Sequence, residues 1–225
     1  MAGRPGLAGL LQLADSAFPA GGFAHSDGIE ALAAAGVVHD ATSLEAVLRA
    51  HRRLTLDSCD AWFVRAGHAA TEARDAERLL RHAADDLAAR AAAGSRRASI
   101  ALGQALLRSA ERTFEDDAGR AVAWAAGILA GCEARATVFG AVAGVAGAPP
   151  GDAAAAYAYT VLSGMTAAAV RLGLAGPLDA QRALRRALAR PAGTAGPTDG
   201  WTAFSPLLDI GAMQHEQLTP RLFAS

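Results

Sequence analysis

An uncharged stretch from Ala153 to Val170, bounded by Asp152 and Arg171, constrains the fold more than any other feature. A helix that is apolar on all sides must be buried on all sides, by other helices or by lipid. The stretch lies at the lower edge of the roughly 20 residues that a membrane span needs. It also lacks the aromatic belt and the basic flanks that anchor a span. We therefore expect the buried central helix of a soluble helical bundle.

Helical spacing of apolar residues recurs on both sides of this stretch, without a strand pattern or a fixed repeat. Thr42 and Glu45 have the spacing of a helix capping box. The sequence predicts an all-α fold, with one domain over residues 1–225, a linker at 191–197 and a C-terminal tail at 198–225. The other predicted helical stretches are Leu7–Leu13, Ser26–Gly36, Thr42–Ala66, Thr71–Ala93, Ser95–Phe114, Arg120–Ala146 and Leu178–Ala189.

The charge balance and the residue types exclude several functional classes. The net charge is −1, so no basic field favours nucleic acid or an anionic membrane surface. The sequence contains no Lys, which excludes a Schiff-base lysine and a P-loop lysine. Cys59 and Cys132 lie far apart, which argues against a thiolate zinc site. The N-terminus lacks the apolar core of a secretory signal, so we expect a cytoplasmic protein.

The histidines do not assemble a catalytic centre or a cofactor site. His51 lies on an apolar helical stripe and is expected to be a hydrogen-bonded core residue. His39, His68 and His82 have polar neighbours and are expected to face solvent. His215 and Glu216 lack the second histidine of a zinc-protease motif. A split metal site that uses His25 and His215 remains an alternative, and with it a metal-dependent enzyme.

The tail carries more apolar residues than a solvent-exposed terminus needs. They are Leu207, Leu208, Ile210, Met213, Leu218, Leu222 and Phe223. Because a Gly/Pro-rich segment precedes them, they can fold back on their own domain or dock into a partner and become ordered there. The residues alone therefore indicate a helical interaction protein.

Both ends of the chain resemble the UreF urease accessory proteins. The N-terminal match consists of Leu10–Leu13, Phe18–Phe23, Ser26, Gly28 and Glu30. The C-terminal match consists of Pro206–Ile210, Met213, His215, Glu216 and Arg221–Ser225. Two internal stretches are also similar to the family: Ser99 with Gly103 and Leu106–Arg108, and Ala169–Leu172 with Gly176 and Asp179–Gln181.

The resemblance implies an all-α protein without enzyme activity or a cofactor of its own. Members of the family bind the accessory protein UreD, called UreH in some systems, and usually dimerise on it. Together they recruit the GTPase UreG, and the assembly delivers nickel to apo-urease. The resemblance also implies that the C-terminal segment faces the partner and becomes ordered on binding UreD. A helical adaptor of another pathway is the remaining alternative.

Carried over by position, the resemblance implies a set of partner-binding residues: His25, Arg171, Gln181, Asp209, Met213, His215, Glu216, Arg221, Leu222 and Phe223. The family usually has Tyr in place of His25 and Gln in place of Asp27. Where the family tends to continue Ile-Pro-Leu-Gly-Gln after Leu172, this chain reaches its proline only at Pro177. We expect Arg171 either to fix the C-terminal segment or dimer surface by charge-assisted hydrogen bonds or to cap its own helix.

Overall fold

The fold is known from a computed structural model that describes residues 6–22, 25–189, 200–215 and 222–224. Within these ranges the regular structure is helical and no strand occurs, which confirms the all-α prediction. The predicted linker at 191–197 lies outside the described residues. In chain order the elements are α1 (Leu7–Ala14), α2 (Ile29–Ala34), α3 (Ala41–His51), a π-helical segment (Arg52–Asp60), α4 (Ala61–Glu72), α5 (Ala76–Ala88), α6 (Ala93–Thr113), α7 (Asp116–Leu129), α8 (Arg135–Val145), α9 (Pro150–Arg171), α10 (Pro177–Leu188) and α11 (Pro206–His215).

Local capping explains where the helices depart from the expected boundaries. The capping box of α3 is formed by Asp40 and Ser43 instead of Thr42 and Glu45, and the Ser43 N–H donates to Asp40 Oδ1 at 2.7 Å. Asp75 starts α5 by accepting from the N–H of Arg78 at 3.0 Å, so the stretch predicted from 71 to 93 is divided. The stretch predicted from 120 to 146 is also divided, between α7 and α8, where Gly131 has a φ of 83°.

The helix at the centre of the core is α8. Every residue from Ala136 to Ala143 is buried. It packs against α4 at a distance that glycine permits: a Cβ on Gly140 would overlap the backbone of Val64, and a Cβ on Gly67 would overlap the backbone of Thr137. Backbones can approach this closely only where no Cβ intervenes.

The buried N-terminus of α8 is capped by side chains from other helices. Its N-cap residue, Ala134, has no side chain that can accept a hydrogen bond. Ser99 Oγ accepts instead from the N–H of Arg135 at 3.0 Å. Asp86 Oδ2 accepts from both the N–H and the hydroxyl of Thr137 at 3.1 Å. These contacts satisfy N–H groups that a helix terminus leaves unpaired and fix α8 against α5 and α6.

The predicted uncharged helix exists as α9 and lies within the core on most of its surface. Its length and hydropathy would suit a membrane span, but 56% of its most apolar window is buried inside the protein. One stripe stays exposed, with Ala155, Tyr159 and Ala167 on it. The burial expected on all sides is therefore incomplete for α9, whereas α8 shows it along its middle.

The histidines partly depart from the expected solvent exposure. His39 is exposed as expected. His68 is only 2% exposed, and its Nε2–H donates to the carbonyl of Ala148 at 2.7 Å. Gly144 leaves space for its ring, since a Cβ there would lie 3.3 Å from it. His82 is half-buried, with its ring centroid 5.1 Å from that of Trp62.

Candidate partner-docking site

The C-terminal segment is attached to the body of the protein through one carboxylate. Glu30, in the first turn of α2, is 8% exposed. It accepts hydrogen bonds from the N–H of Leu222 at 2.6 Å, from the N–H of Phe223 at 3.2 Å and from His215 Nε2 at 2.7 Å. Burial favours a raised pKa for Glu30, but these donors outweigh it and hold the pKa below its ordinary value. We name Glu30, His215, Leu222 and Phe223 the Glu30 clasp.

An aromatic contact extends the clasp to the end of α9. The Phe223 side chain is 5% exposed. The guanidinium carbon of Arg171, the last residue of α9, lies 4.3 Å from the centroid of the Phe223 ring. This distance falls within the roughly 6 Å over which a cation is attracted to an aromatic face. The contact joins the C-terminal segment to α9.

A second attachment lies before α11. The ring of Trp201 packs against Phe63 with 5.3 Å between the centroids. The N–H of Thr202 donates to the carbonyl of Ser58 at 3.0 Å. Ser58 belongs to the π-helical segment, a form that is rare and often marks functional sites. The chain is therefore held to the body on both sides of α11.

The outer side of α11 carries an apolar stripe. Leu207, Ile210 and Met213 recur at three-residue intervals and are 49%, 53% and 49% exposed. The buried residues of α11 are Gly211 and His215. Further exposed apolar side chains lie near the helix in sequence: Phe204 and Leu222. α11 thus has an inner side that is attached to the body and an outer apolar side that no described residue covers.

A cavity of about 320 Å³ lies beneath α11, and we name it the polar chamber after the titratable side chains in its lining. α11 contributes Leu208, Asp209, Ala212 and His215 to its lining. The π-helical segment contributes Thr55, Cys59 and Asp60. Further titratable side chains in the lining include His25, Asp27, His51, Arg90 and Arg135.

Ion pairs and one neutral imidazole contribute to the electrostatics of the chamber. Arg135 Nη1 donates to both oxygens of Asp27, at 3.1 and 3.2 Å. Arg90 Nη2 donates to Asp60 at 2.8 Å and to Asp86 at 2.7 Å. Burial lowers the pKa of His51 to about 4, so its ring is neutral at pH 7. The sequence predicted a hydrogen-bonded core histidine here, and Nδ1 of this ring has no hydrogen-bond partner among the described residues.

The two histidines of the alternative metal site, His25 and His215, both line the polar chamber. His215 already donates to Glu30. Within the described ranges, no three His, Cys, Asp or Glu side chains are grouped so that they could hold a metal ion. The described residues therefore give the metal-dependent alternative no donor set.

The structure brings most of the predicted partner-binding residues to the clasp or the chamber. His25 and Asp209 line the chamber, and burial raises the pKa of Asp209. Arg171 lies at the clasp, and Met213 lies on the outer stripe. Gln181 is exposed on α10, a helix that packs mainly on α3 and α9. Two predicted positions lie outside the described residues: Glu216 and Arg221.

Glu30 is the residue whose role the sequence did not reveal. It appeared there only as an acid in the first turn of a helix and as part of a family match. One signal was present, because Glu30 is the single charged residue of the apolar run from Ile29 to Ala34. A carboxylate on a buried helix needs hydrogen-bond donors, but the sequence does not show that they come from residues 215–223.

Comparison with known proteins gives matches over nearly the whole chain. The model of the UreF family matches residues 38–188. A protein named urease accessory protein UreF from Mycobacterium sp. (strain JLS) is 33% identical, with 96% of this chain and 97% of that protein covered. Urease accessory protein UreF from Bradyrhizobium sp. is 32% identical over 99% of this chain and 93% of its own length. Urease accessory protein F from Arabidopsis thaliana is 31% identical over 95% of this chain and 90% of its own length. The chain therefore belongs to the UreF family of urease accessory proteins.

Proposed function

We propose that this chain binds UreD through the outer side of α11 and, as part of that complex, recruits the GTPase UreG for nickel delivery to apo-urease. The role is one of assembly in the cytoplasm, and the chain itself catalyses no reaction. The second copy expected in the complex makes the functional unit a homodimer bound to UreD. The observation that carries the proposal is the apolar stripe of Leu207, Ile210 and Met213 on a helix whose inner side is already attached.

The chemistry of the stripe supports a protein partner. Contiguous exposed apolar patches on a protein surface mark interaction sites. A helix that presents anchors one turn apart is a common way to fill an apolar groove on a partner. Side chains at positions 207, 210 and 213 are about half exposed. Burial of their remaining apolar surface against a partner would stabilise the complex by about 25 cal/mol per Å².

The two-sided arrangement of α11 is compatible with both alternatives for the tail. Folding back and partner docking need different sides of the same segment. The inner side of α11 carries Gly211 and His215, and Phe223 is buried further along the tail. The outer side stays available while the tail is folded back. Both uses of the tail can therefore occur together.

The test is binding of the purified chain to UreD after the stripe is made polar. We expect the double variant Ile210→Asp, Met213→Asp to lose UreD and, with it, UreG. Leu80→Asp is the matched control, because Leu80 is an exposed leucine of α5, at 44%, away from α11. Retention of UreD by the double variant would contradict the proposed surface. Loss of UreD by the control as well would show a general folding defect instead.

A further inference from the structure

The Glu30 clasp concentrates the hydrogen bonds of His215, Leu222 and Phe223 to the body in one side chain. Within the described parts of the chain, every hydrogen bond to the Glu30 carboxylate comes from the C-terminal segment. Leu222 and Phe223 donate through their backbone, so the contact does not depend on their side chains. A carboxylate that accepts several N–H hydrogen bonds forms stronger bonds than a neutral acceptor.

The packing of α11 alone provides little to replace this hold. Its fully buried residues are Gly211, which offers no side chain, and His215, which is polar. Leu208 is half-buried and packs close to Gly28: a Cβ added to Gly28 would lie 3.3 Å from the Leu208 side chain. Since burial of apolar area is the main source of docking energy, α11 depends on the clasp more than a well-packed core helix would.

We infer that Glu30 is the positioning residue for partner binding: it keeps α11 attached, so that the outer stripe is presented in one orientation. The inference rests on the proposed function. Glu30 is buried beneath the C-terminal segment, so it does not itself touch UreD. Glu30 acts by raising the fraction of molecules in which α11 is attached to the body. The apparent affinity of a ligand falls in proportion to that fraction.

The experiment compares Glu30→Gln with the wild-type chain, and Glu77→Gln is the matched control. Glu77 is an exposed glutamate of α5 whose side chain pairs with Arg81. The glutamine amide keeps the shape of Glu30 but has no charge and only one acceptor oxygen. Binding to purified UreD is measured by calorimetry, and backbone hydrogen exchange is measured over residues 206–215 and over α8.

We expect Glu30→Gln to bind UreD about tenfold to a hundredfold more weakly, since hydrogen bonds to charged groups contribute about 1.5–3 kcal/mol and 1.4 kcal/mol is tenfold in affinity. Exchange should rise over 206–215 and stay unchanged in α8. A residue that merely stabilised the whole fold would raise exchange in both. His215→Gln is the second variant and should show a smaller loss in the same direction, because two of the three donors to Glu30 remain.

The outcomes separate this inference from the function on which it rests. If the wild-type chain binds UreD and Glu30→Gln binds equally well, the positioning role is overturned and the proposed function stands. If the wild-type chain does not bind UreD, both are overturned. If Glu30→Gln fails to fold, His215→Gln decides, and wild-type affinity with unchanged exchange in that variant overturns the inference.

Discussion

Arg135 and Asp27 form an ion pair that lies between two cavities. Arg135 Nη1 is 3.1 Å from Asp27 Oδ1, and both residues line the polar chamber. Both also line a groove of about 760 Å³ among α1, α6 and α9. The pair therefore forms part of the wall that the chamber and the groove share.

Neutralising Asp27 should destabilise the protein. In Asp27→Asn the Arg135 guanidinium loses its charged partner. Breaking a fully buried pair costs about 3–5 kcal/mol; here we expect about 2 kcal/mol, because roughly a fifth of each side chain is exposed and solvent screens the charge. Denaturant unfolding at pH 7 measures the difference. Asp179→Asn is the control, since Asp179 is an exposed partner of Arg182 and its loss should have little effect.

The same pair predicts a pH dependence with a defined sign. Burial favours a raised pKa for Asp27, but Arg135 and the nearby imidazoles hold it below its ordinary value. The stabilisation is therefore present above the ordinary pKa of Asp and is lost as pH falls through the lowered value. The Asn variant should lose this part of the acid sensitivity. Equal acid sensitivity in the two proteins would contradict the assignment.

His51 should make the protein less stable as the pH falls from about 6.5 to about 4. Its pKa is lowered from 6.5 to about 4 by burial, so the unfolded chain takes up the proton first. Stability then rises with pH through this window and is constant with respect to His51 above it. We expect His51→Gln to flatten the curve of unfolding free energy between these pH values. The exposed histidine variant His39→Gln should keep the wild-type slope, and an unchanged slope in His51→Gln would contradict the burial effect.

Gly140→Ala should disrupt the contact between α8 and α4. The added methyl group would overlap the backbone of Val64, which cannot move aside as a side chain can. Overpacking costs about 1–3 kcal/mol, and we expect the upper end of that range in thermal or denaturant unfolding. Gly127→Ala in α7 is the matched control: no atom lies within 4 Å of its added Cβ, so it should be neutral or gain about 0.4–1 kcal/mol.

Arg171→Ala should loosen the C-terminal segment without unfolding the bundle. The variant loses a cation–π contact with Phe223 that is worth about 0.5–2 kcal/mol. We expect weaker recruitment of UreG by the UreD-bound protein and an unchanged helical circular dichroism spectrum. Arg108→Ala, on the exposed side of α6, is the control. If Arg171→Ala recruits UreG as the wild type does, Arg171 acts only at the end of its own helix.

Helix periodicity predicted most of the fold, and the failures have local causes. The uncharged stretch from Ala153 to Val170 predicts α9 because length and composition leave few other structures. The same criteria do not single out α8, which is shorter and includes Gly140 and Gly144. Its central place depends on close contact with α4, and a sequence does not show which glycine faces a neighbouring backbone. Capping by Asp40 instead of Thr42 reflects competition between two capping residues only two positions apart.

The candidate site was predictable as a segment but not as a set of contacts. Apolar residues after a Gly/Pro-rich stretch indicate that the tail docks somewhere, and the family resemblance pointed to the same tail. The clasp joins Glu30 to His215, Leu222 and Phe223, and the chamber joins the start of the chain to its middle and its end. Hydrogen bonds between residues so distant in sequence leave no periodic pattern. The low pKa of His51 likewise depends on tertiary burial, which helical spacing does not quantify.

The most direct test of the account is the affinity of the chain for purified UreD, measured for the full-length protein beside a chain that ends at Gly196. The account predicts that the full-length protein binds UreD and that the complex then recruits UreG. It also predicts that the shortened chain keeps its helical fold and loses UreD. Equal binding of UreD by a folded shortened chain would contradict the docking role of α11.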